Sequence, residues 1–304
     1  MRSTKKHIAS ELIKPKQLRF VVDETATLIK FLRKQFPNKG SNKIKQLIER
    51  KLVTVNNETT TYFTQQLQIK QIVAVNEQPK QEDIVFSKIK ILFEDESIIV
   101  IDKKAGLLSI ATQKEIEKTA YSLLSEYVKR KNQRSRIFIV HRLDKQTSGV
   151  MIFAKNQDVK IKLQQNWHEM IIERTYSVVV EGFVEQKEGT IISWLKENKM
   201  YKMYSVKTPD NDSRKAITHY KVEKQNNEYS LLTIRLETGR KNQIRVHFFD
   251  LGFPVVGDVK YGATHNPIKR LGLHAKLIKF MHPVTNKVIR FESPIPSEFL
   301  RLVQ

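Results

Sequence analysis

The sequence predicts an α+β protein, in which a small α/β domain precedes a large domain with a largely antiparallel mixed sheet. Two observations lead to this fold class. From residue 88 onwards, segments with strand patterning outnumber helical segments and do not alternate with them regularly. Before residue 80, two short helical patterns are followed by short strand patterns. At 304 residues, the chain is long enough for two domains of ordinary size.

The charge balance is strongly basic. The chain has 54 Lys and Arg residues against 32 Asp and Glu residues, which gives a formal net charge of +22. Such a field attracts polyanions. Nucleic acid is favoured over an anionic membrane because the sequence has no lipid signal and no basic amphipathic helix with an aromatic face. Cysteine is absent, which excludes disulfides, thiolate nucleophiles and cysteine-ligated zinc.

The sequence has no pattern typical of secreted or membrane proteins. Its first residues are polar and basic, without an apolar signal core. No uninterrupted apolar run approaches the ~20 residues that a membrane-spanning helix needs. We therefore expect a cytoplasmic protein without a membrane partner, and a monomer.

The small domain is predicted to begin after a basic, flexible tail at 1–16. Its first helix has Asp23 or Thr25 as candidate N-caps. The apolar residues of that helix recur at helical spacing: Leu28, Phe31, Leu32 and Phe36. The segment 37–40, Pro-Asn-Lys-Gly, ends the helix.

A second helix is predicted to begin at Ser41, with one apolar and one basic face. Its buried residues are Ile44, Leu47 and Ile48, and its outward basic residues include Lys43, Lys45 and Arg50. Strands at 52–55 and 72–75 follow. Within the predicted domain 17–80, residues 17–75 resemble the RNA-binding domain named after small-subunit ribosomal protein four, although Lys51 replaces a common glycine and a common Gly-Asp pair is missing near Gln71. The resemblance implies that the basic face binds RNA. The alternative is a small basic module whose lysines are merely solvated.

A linker at 81–87 is predicted to lead into the large domain, residues 88–304. The predicted elements are, in order, strands at 89–93 and 98–101, a helix at 121–128, strands at 137–140 and 150–154, a helical stripe at 159–170, strands at 176–180 and 231–237, a helix at 244–251, and a hairpin of strands at 278–280 and 288–291. Residues 186–214 are polar, which predicts a surface hairpin or a flexible flap. Gly252 is suited to the position after a helix end.

The polar loop at 141–149 lies between two apolar strand patterns. Its sequence, His-Arg-Leu-Asp-Lys-Gln-Thr-Ser-Gly, holds a carboxylate, cations and hydroxyls. Loops on rigid strands often carry binding and catalytic groups. Alternatively, residues 147–149 form an ordinary turn and Asp144 is a turn-forming residue. On residue chemistry alone, both interpretations stand.

The pattern His-Arg-Leu-Asp-x-x-Thr-Ser-Gly resembles the signature loop of the RluA family of RNA pseudouridine synthases. Further blocks similar to that family follow in the same order: 174–176, 239–247, 254–258 with 261–262, and 273–275 through 282–283. The resemblance covers essentially residues 88–304. It implies the fold of these enzymes, with uridine in RNA as the substrate and no cofactor.

The resemblance also implies a role for individual side chains. Asp144 would be the catalytic nucleophile, since a carboxylate is already ionised at neutral pH. Attack on the uracil ring, attack on the anomeric carbon and removal of a sugar proton all remain open for it. Arg245 would pair with Asp144 and keep it charged and oriented. Tyr176 would hold the uracil ring and Leu273 would close its other side, although either could be an ordinary strand or core residue. Arg142 would help to displace the target base.

The family pattern is not matched everywhere. Lys104 occupies a position where proline is frequent, and Lys241-Asn242 replaces a frequent Thr-His pair. We expect neither change to touch the reacting group. No metal site is predicted, because His274 and His282 lack the spacing or carboxylate company of a zinc site. Phosphate-loop and dinucleotide fingerprints are also missing from the sequence.

Two alternatives from other functional classes remain. One is a non-catalytic RNA-binding or ribosome-assembly protein on the same fold, against which the joint presence of Asp144, Tyr176 and Arg245 argues. The other is a metal-dependent nuclease, disfavoured by the lack of clustered acidic residues. By family analogy, ribosomal RNA is a better candidate partner than transfer RNA.

Overall fold

The structure is a computed structural model that describes residues 17–49, 52–76, 88–111 and 118–304. It divides the chain into two compact units, Met1–Ile84 and Val85–Gln304. The predicted tail at 1–16 and linker at 81–87 lie outside the described residues, as do Arg50 and Lys51. Among the described residues, no helix combines the length and the apolar character needed to cross a membrane.

The N-terminal unit combines two helices with short strands. Its elements are β1 (Gln17–Val21), β2 (Ala26–Thr27), α1 (Leu28–Gln35), α2 (Ser41–Glu49), β3 (Val53–Val55), β4 (Glu58–Thr59), β5 (Gln66–Leu67) and β6 (Ile72–Asn76). Four strands form an antiparallel sheet in the order β1-β6-β3-β4, and β2 pairs with β5. This arrangement is the predicted small α/β unit.

The apolar faces of α1 and α2 form the core of this unit together with β3 and β6. The predicted core residues Leu28, Phe31, Leu32, Ile44, Leu47 and Ile48 are all buried. The predicted N-caps are wrong. Helix α1 begins after Thr27, whose side chain makes no capping hydrogen bond. Asp23 instead accepts a hydrogen bond from Lys34 at 3.1 Å on the surface.

The second unit contains a long mixed sheet with helices packed against it. Its elements are β7 (Ile89–Glu94), β8 (Ile98–Lys103), α3 (Ala120–Lys131), β9 (Phe138–Ile139), β10 (Ser148–Ala154), α4 (Gln157–Gln165), α5 (Trp167–Met170), β11 (Ile171–Glu181), β12 (Glu188–Glu197), β13 (Met203–Val206), β14 (Arg214–Gln225), β15 (Tyr229–Leu236), α6 (Gln243–Asp250), a 3₁₀ turn (Val259–Tyr261), β16 (Leu273–Met281), β17 (Val288–Glu292) and α7 (Ser297–Leu302).

The strands follow the order β13-β12-β14-β15-β11-β16-β10-β8-β7, with β17 on β16 and β9 on β10. Within the described part of the chain, β10 and β16 form the one parallel pair of this sheet. The predicted α+β class with a largely antiparallel mixed sheet is therefore confirmed.

Some element boundaries differ from the expectation. Residues 186–214 include the antiparallel hairpin of β12 and β13, so the hairpin alternative is correct. The helical stripe at 159–170 is interrupted at Asn166, whose side-chain Nδ2 donates to the backbone oxygen of Lys162 at 2.9 Å. Gly252 has φ +82°, as its predicted place after α6 requires.

Two apolar clusters fix the centre of the sheet. One contains buried residues of β8, β10 and β16 together with α4, and the other contains buried residues of β11, β14 and β15 together with α6. The polar loop at 141–147 leads into β10, which contributes buried residues to the first cluster. The packed strands therefore give that loop a rigid base.

Candidate active site

The loop that carries Asp144 is tied to the end of β8 by Lys103. The Lys103 side chain is fully buried. Its Nζ donates to the backbone oxygens of Leu107 at 2.8 Å and Lys104 at 3.2 Å. It also reaches the backbone oxygens of Asp144 and Lys145, each at 3.4 Å. Burial is the main cause that lowers the pKa of Lys103 to about 7. One side chain thus holds the segment after β8 and the loop before β10 together.

The end of the loop is fixed where β10 meets β16. A Cβ on Gly149 would lie 2.1 Å from the backbone oxygen of Ala275, and Gly149 has φ +112°, so glycine is required here. The neighbouring Ser148 Oγ accepts from Arg270 Nη2 at 2.6 Å and lies 2.8 Å from His274 Nδ1. His274 Nε2 lies 3.3 Å from the backbone oxygen of Ser293 and therefore carries the ring proton, so Nδ1 accepts from the Ser148 hydroxyl, which joins the loop to β16.

The Asp144 carboxylate is held on one of its two oxygens. Its Oδ2 accepts from Arg245 Nη1 at 2.9 Å and from Asn242 Nδ2 at 2.8 Å. The side chain of Asp144 is 39% exposed, whereas that of Arg245 is 14% exposed. The carboxylate therefore combines a fixed orientation with access from solvent.

Arg245 lies on α6 and is bound from its other side by Asp258. Its Nε and Nη2 donate to the two oxygens of Asp258 at 2.6 Å and 2.7 Å. The guanidinium also lies 4.9 Å from the centre of the Tyr261 ring. Burial acts to lower the pKa of Arg245, but the hydrogen bonds and charges of Asp258 and Asp144 outweigh it and raise the pKa. The cation beside Asp144 is therefore permanent.

Tyr176 and Leu273 come from neighbouring strands. The pairing of β11 with β16 shifts between Thr175 and Tyr176, and such an irregularity changes the direction of the following side chain. Leu273 begins β16 and is buried. Burial raises the pKa of Tyr176, and the charge of Asp144 adds to this shift while that of Arg174 opposes it. The phenol is therefore protonated at neutral pH.

One cavity contains all five side chains that the sequence analysis placed at the reaction centre: Arg142, Asp144, Tyr176, Arg245 and Leu273. A wider groove shares part of this lining and continues past Trp167. Basic side chains line the groove: Arg142, Lys145, Arg174, Arg240 and Lys241. Among the described residues that line the cavity and the groove, Asp144 is the one carboxylate in a predominantly cationic surface, which suits a polyanionic ligand.

The predicted RNA-binding residues of α2 belong to the other unit. Lys43 and Lys45 are exposed on that helix. Arg50 lies outside the described residues. Their RNA-binding role therefore stays a prediction about the N-terminal unit.

Two side chains of this centre, Asn242 and Asp258, are not among the residues predicted from the sequence. We expected the Lys241-Asn242 pair not to touch the reacting group, and this is wrong because the Asn242 amide donates to Asp144. Asp258 lies in a block that resembled the family, but it received no role. The signal in the sequence is a carboxylate directly after a glycine. In the structure, this glycine, Gly257, has φ +75°.

The histidines of this region have structural contacts. His141 Nε2 accepts from the backbone N–H of Ile152 at 3.1 Å, and burial lowers the pKa of His141 to about 3. His247 is fully buried between Ser193 and Thr218. Within residues 17–49, 52–76, 88–111 and 118–304, no group of three His, Asp or Glu side chains is placed to hold a metal ion.

The chain is similar to known proteins in sequence and in fold. A family model described as RNA pseudouridylate synthase matches residues 97–249, about half of the 304 residues. The RNA pseudouridine synthase YjbO of Bacillus subtilis, described as uncharacterised, is 33% identical over 214 residues, which are 70% of this chain and 75% of that protein. The ribosomal large subunit pseudouridine synthase D of Haemophilus influenzae is 29% identical across 96% of this chain and 92% of its own length.

A solved structure, human RNA pseudouridylate synthase domain containing 4, has the same fold with a TM-score of 0.58. It is 22% identical and the match covers 72% of this chain and 92% of the human chain. The family model, the identity to the Bacillus protein and the cavity around Asp144 lead to one conclusion: this chain belongs to the RNA pseudouridylate synthase family.

Proposed function

We propose that this chain converts uridines of ribosomal RNA to pseudouridine, with Asp144 as the reactive carboxylate. The observation that carries the proposal is the Asp144–Arg245 contact of 2.9 Å at an accessible cavity. The isomerisation breaks the bond between nitrogen and the sugar, turns the uracil and rejoins it through carbon five. It requires an ionised group at the nucleoside and a surface that holds the detached ring.

The other side chains of the cavity supply the remaining parts. In this proposal, Tyr176 and Leu273 hold the uracil between them. Burial raises the pKa of Tyr176 and keeps its phenol protonated, so at carbon five the phenol passes its own proton to solvent as it takes up the proton that leaves the ring. Arg142 is exposed at the same cavity and fills the space that the displaced base leaves in the RNA.

Ribosomal RNA is the proposed substrate because relatives named ribosomal large subunit pseudouridine synthase D match nearly the whole chain. The proteins of Haemophilus influenzae and Pasteurella multocida match 96% and 90% of it. The net charge of +22 suits a large folded RNA. We accordingly expect the protein in the cytoplasm, together with its RNA.

The substitution Asp144→Asn tests the reaction. We expect the wild-type chain to release tritium from large-subunit ribosomal RNA that carries uridine labelled at carbon five, and Asp144→Asn to abolish this release while RNA binding is retained. Asp158→Asn is the matched control, since Asp158 is an exposed carboxylate in the first turn of α4. Turnover by Asp144→Asn would remove the proposed nucleophile. Release from transfer RNA alone would contradict the ribosomal substrate.

The basic face of α2 is proposed to add binding energy for the same RNA. The double substitution of Lys43 and Lys45 by Ala should weaken RNA binding. It should also reduce the slope of log affinity against log salt concentration by the amount expected for about two fewer phosphate contacts. Lys34→Ala is the control, because Lys34 already pairs with Asp23 and Glu24. Equal affinity and equal salt slope in all three proteins would refute an RNA-binding role for α2.

A further inference from the structure

The orientation of the Asn242 amide is fixed on both sides. Its Nδ2 donates to Asp144 Oδ2 at 2.8 Å, and its Oδ1 accepts from the Tyr261 hydroxyl at 3.3 Å. The same phenolic oxygen accepts from the backbone N–H of Met203 at 3.2 Å, which leaves its own proton for Asn242. Tyr261 is fully buried and held in this position. The amide nitrogen, rather than its oxygen, therefore faces the carboxylate.

Both donors to the Asp144 carboxylate act on the same oxygen. Arg245 Nη1 and Asn242 Nδ2 bind Oδ2, and within the described part of the chain no hydrogen bond reaches Oδ1. A carboxylate held by one donor can still rotate about that hydrogen bond. Two donors at different positions fix its plane, so that Oδ1 is the oxygen left for a substrate in the cavity.

Arg245 cannot provide this second restraint itself. Its Nε and Nη2 are committed to Asp258, and Nη1 is the nitrogen that remains for Asp144. The guanidinium of Arg245 supplies the charge, while the amide of Asn242 supplies a second hydrogen bond to Oδ2 from a different direction. Because an amide does not titrate, this restraint is independent of pH.

The backbone at Asn242 is adapted to this contact. The residue has φ +53° and ψ +21°, and it directly precedes α6. Asparagine and glycine tolerate this left-handed conformation better than other residues. Glycine can therefore replace Asn242 with little disturbance of the backbone, which separates the loss of the amide from a change of the loop.

We infer that Asn242 is a positioning residue that fixes the Asp144 carboxylate so that its Oδ1 faces the target nucleoside. The inference rests on the proposed function and deepens it, because it assigns the orientation of the reactive group to a neutral side chain. Asn242 acts on the rate of the reaction through Asp144.

The first test is Asn242→Gly in the full chain, with tritium release from large-subunit ribosomal RNA as the measurement. We expect kcat to fall by about 10- to 100-fold, the size expected for one hydrogen bond to a charged group. KM should stay within about 2-fold, because the lost contact orients the reacting group and does not bind RNA. Far-ultraviolet circular dichroism and tryptophan fluorescence verify the fold.

The second test is Asn242→Asp, which preserves the shape but replaces the donor by a carboxylate. Two carboxylates in contact share a proton at low pH and repel each other once both are ionised. We expect kcat of Asn242→Asp to rise as the pH falls from 8 to 5.5, because the shared proton restores the donor. The kcat of Asn242→Gly should follow the same pH dependence as that of the wild type, without a rise at low pH. A merely structural role of Asn242 would not make Asn242→Asp acid-activated while Asn242→Gly keeps the pH profile of the wild type.

The outcomes separate the two proposals. If the wild type turns over and Asn242→Gly has the same kcat, or Asn242→Asp follows the wild-type pH profile, the positioning role is overturned and the proposed function stands. If the wild type releases no tritium from ribosomal RNA, the proposed function fails and this inference fails with it. A lower kcat in Asn242→Gly together with an acid-activated Asn242→Asp supports both.

Discussion

Asp258 offers the sharpest test of how the charged centre is held together. Its two oxygens accept from Arg245 at 2.6 Å and 2.7 Å, and the Asp258 side chain is only 1% exposed. The substitution Asp258→Asn preserves the volume but removes the charge. One of its two contacts then brings an N–H against an N–H of Arg245, while the other can persist.

The expected loss can be estimated from these contacts. Removing one partner of a buried ion pair costs about 3–5 kcal/mol of unfolding free energy. Because Arg245 keeps its bond to Asp144 and one acceptor on the introduced amide, the lower end of this range applies, about 3 kcal/mol. We also expect kcat to fall by about 10- to 100-fold, since a displaced guanidinium no longer orients Asp144.

Urea unfolding followed by tryptophan fluorescence measures this loss of stability in the structural unit that contains Asp258. The chain has two tryptophans, Trp167 and Trp194, and both belong to the unit Val85–Gln304. With a urea dependence of about 2–3 kcal/mol per molar for a unit of this size, the midpoint should fall by about 1–1.5 M.

The control is Glu298→Gln. Glu298 accepts from Arg270 at 3.4 Å, and Arg270 has the same 14% exposure as Arg245, but Glu298 is 30% exposed. We expect this control to lose less than about 1 kcal/mol. If Asp258→Asn unfolds at the same urea concentration as the wild type, or no earlier than Glu298→Gln, the Asp258–Arg245 pair does not hold the centre as argued.

Two further predictions concern stability. Burial lowers the pKa of His141 to about 3 and that of His247 to about 4, whereas unfolded histidine titrates near ~6.5. Below pH 6.5 the unfolded state therefore binds protons that the folded state does not, and each histidine should reduce stability by up to about 1.4 kcal/mol per pH unit as the pH falls towards 4. Urea midpoints that are constant from pH 7 to pH 5 would contradict this. Separately, Gly149→Ala should cost more than about 3 kcal/mol or prevent folding, because its Cβ would overlap the backbone oxygen of Ala275. Gly252→Ala, with φ +82° but open space around the Cβ, should cost only about 1–2 kcal/mol; equal midpoints for the two variants would refute the packing argument.

The parts of the fold that could be predicted from the sequence are those with a clear apolar pattern. Strands β8 and β10 contain the continuous apolar runs 98–101 and 150–154, and both strands are nearly fully buried. The hairpin strands β12 and β13 have few buried residues, so their alternation is weak in the sequence. Whether the polar segment 186–214 forms a hairpin or a flap is decided by its pairing with β14, which the segment itself does not encode.

The candidate site divides in the same way. Asp144 could be singled out because its loop concentrates polar groups between two apolar strands. Arg245, Tyr176 and Leu273 were assigned through the resemblance to a family, since no local pattern distinguishes them from ordinary helix or strand residues. The contact between Asn242 and Asp144 could not be predicted, because it spans 98 positions of sequence and depends on a left-handed backbone conformation at Asn242.

The precision of the Asp144 carboxylate has two independent sources, which lie in different parts of the fold. Its backbone is held by Lys103 at the end of β8, whose buried ammonium is surrounded by carbonyl oxygens rather than by a carboxylate. Its side chain is held by Arg245 and Asn242, which come from α6 and the residue before it. A shift of α6 relative to β8 would therefore displace the Asp144 side chain relative to the Asp144 backbone. Because apolar clusters pack both elements against adjoining strands of one sheet, such a shift requires repacking of the core, and the sheet itself is what keeps the reactive oxygen in place.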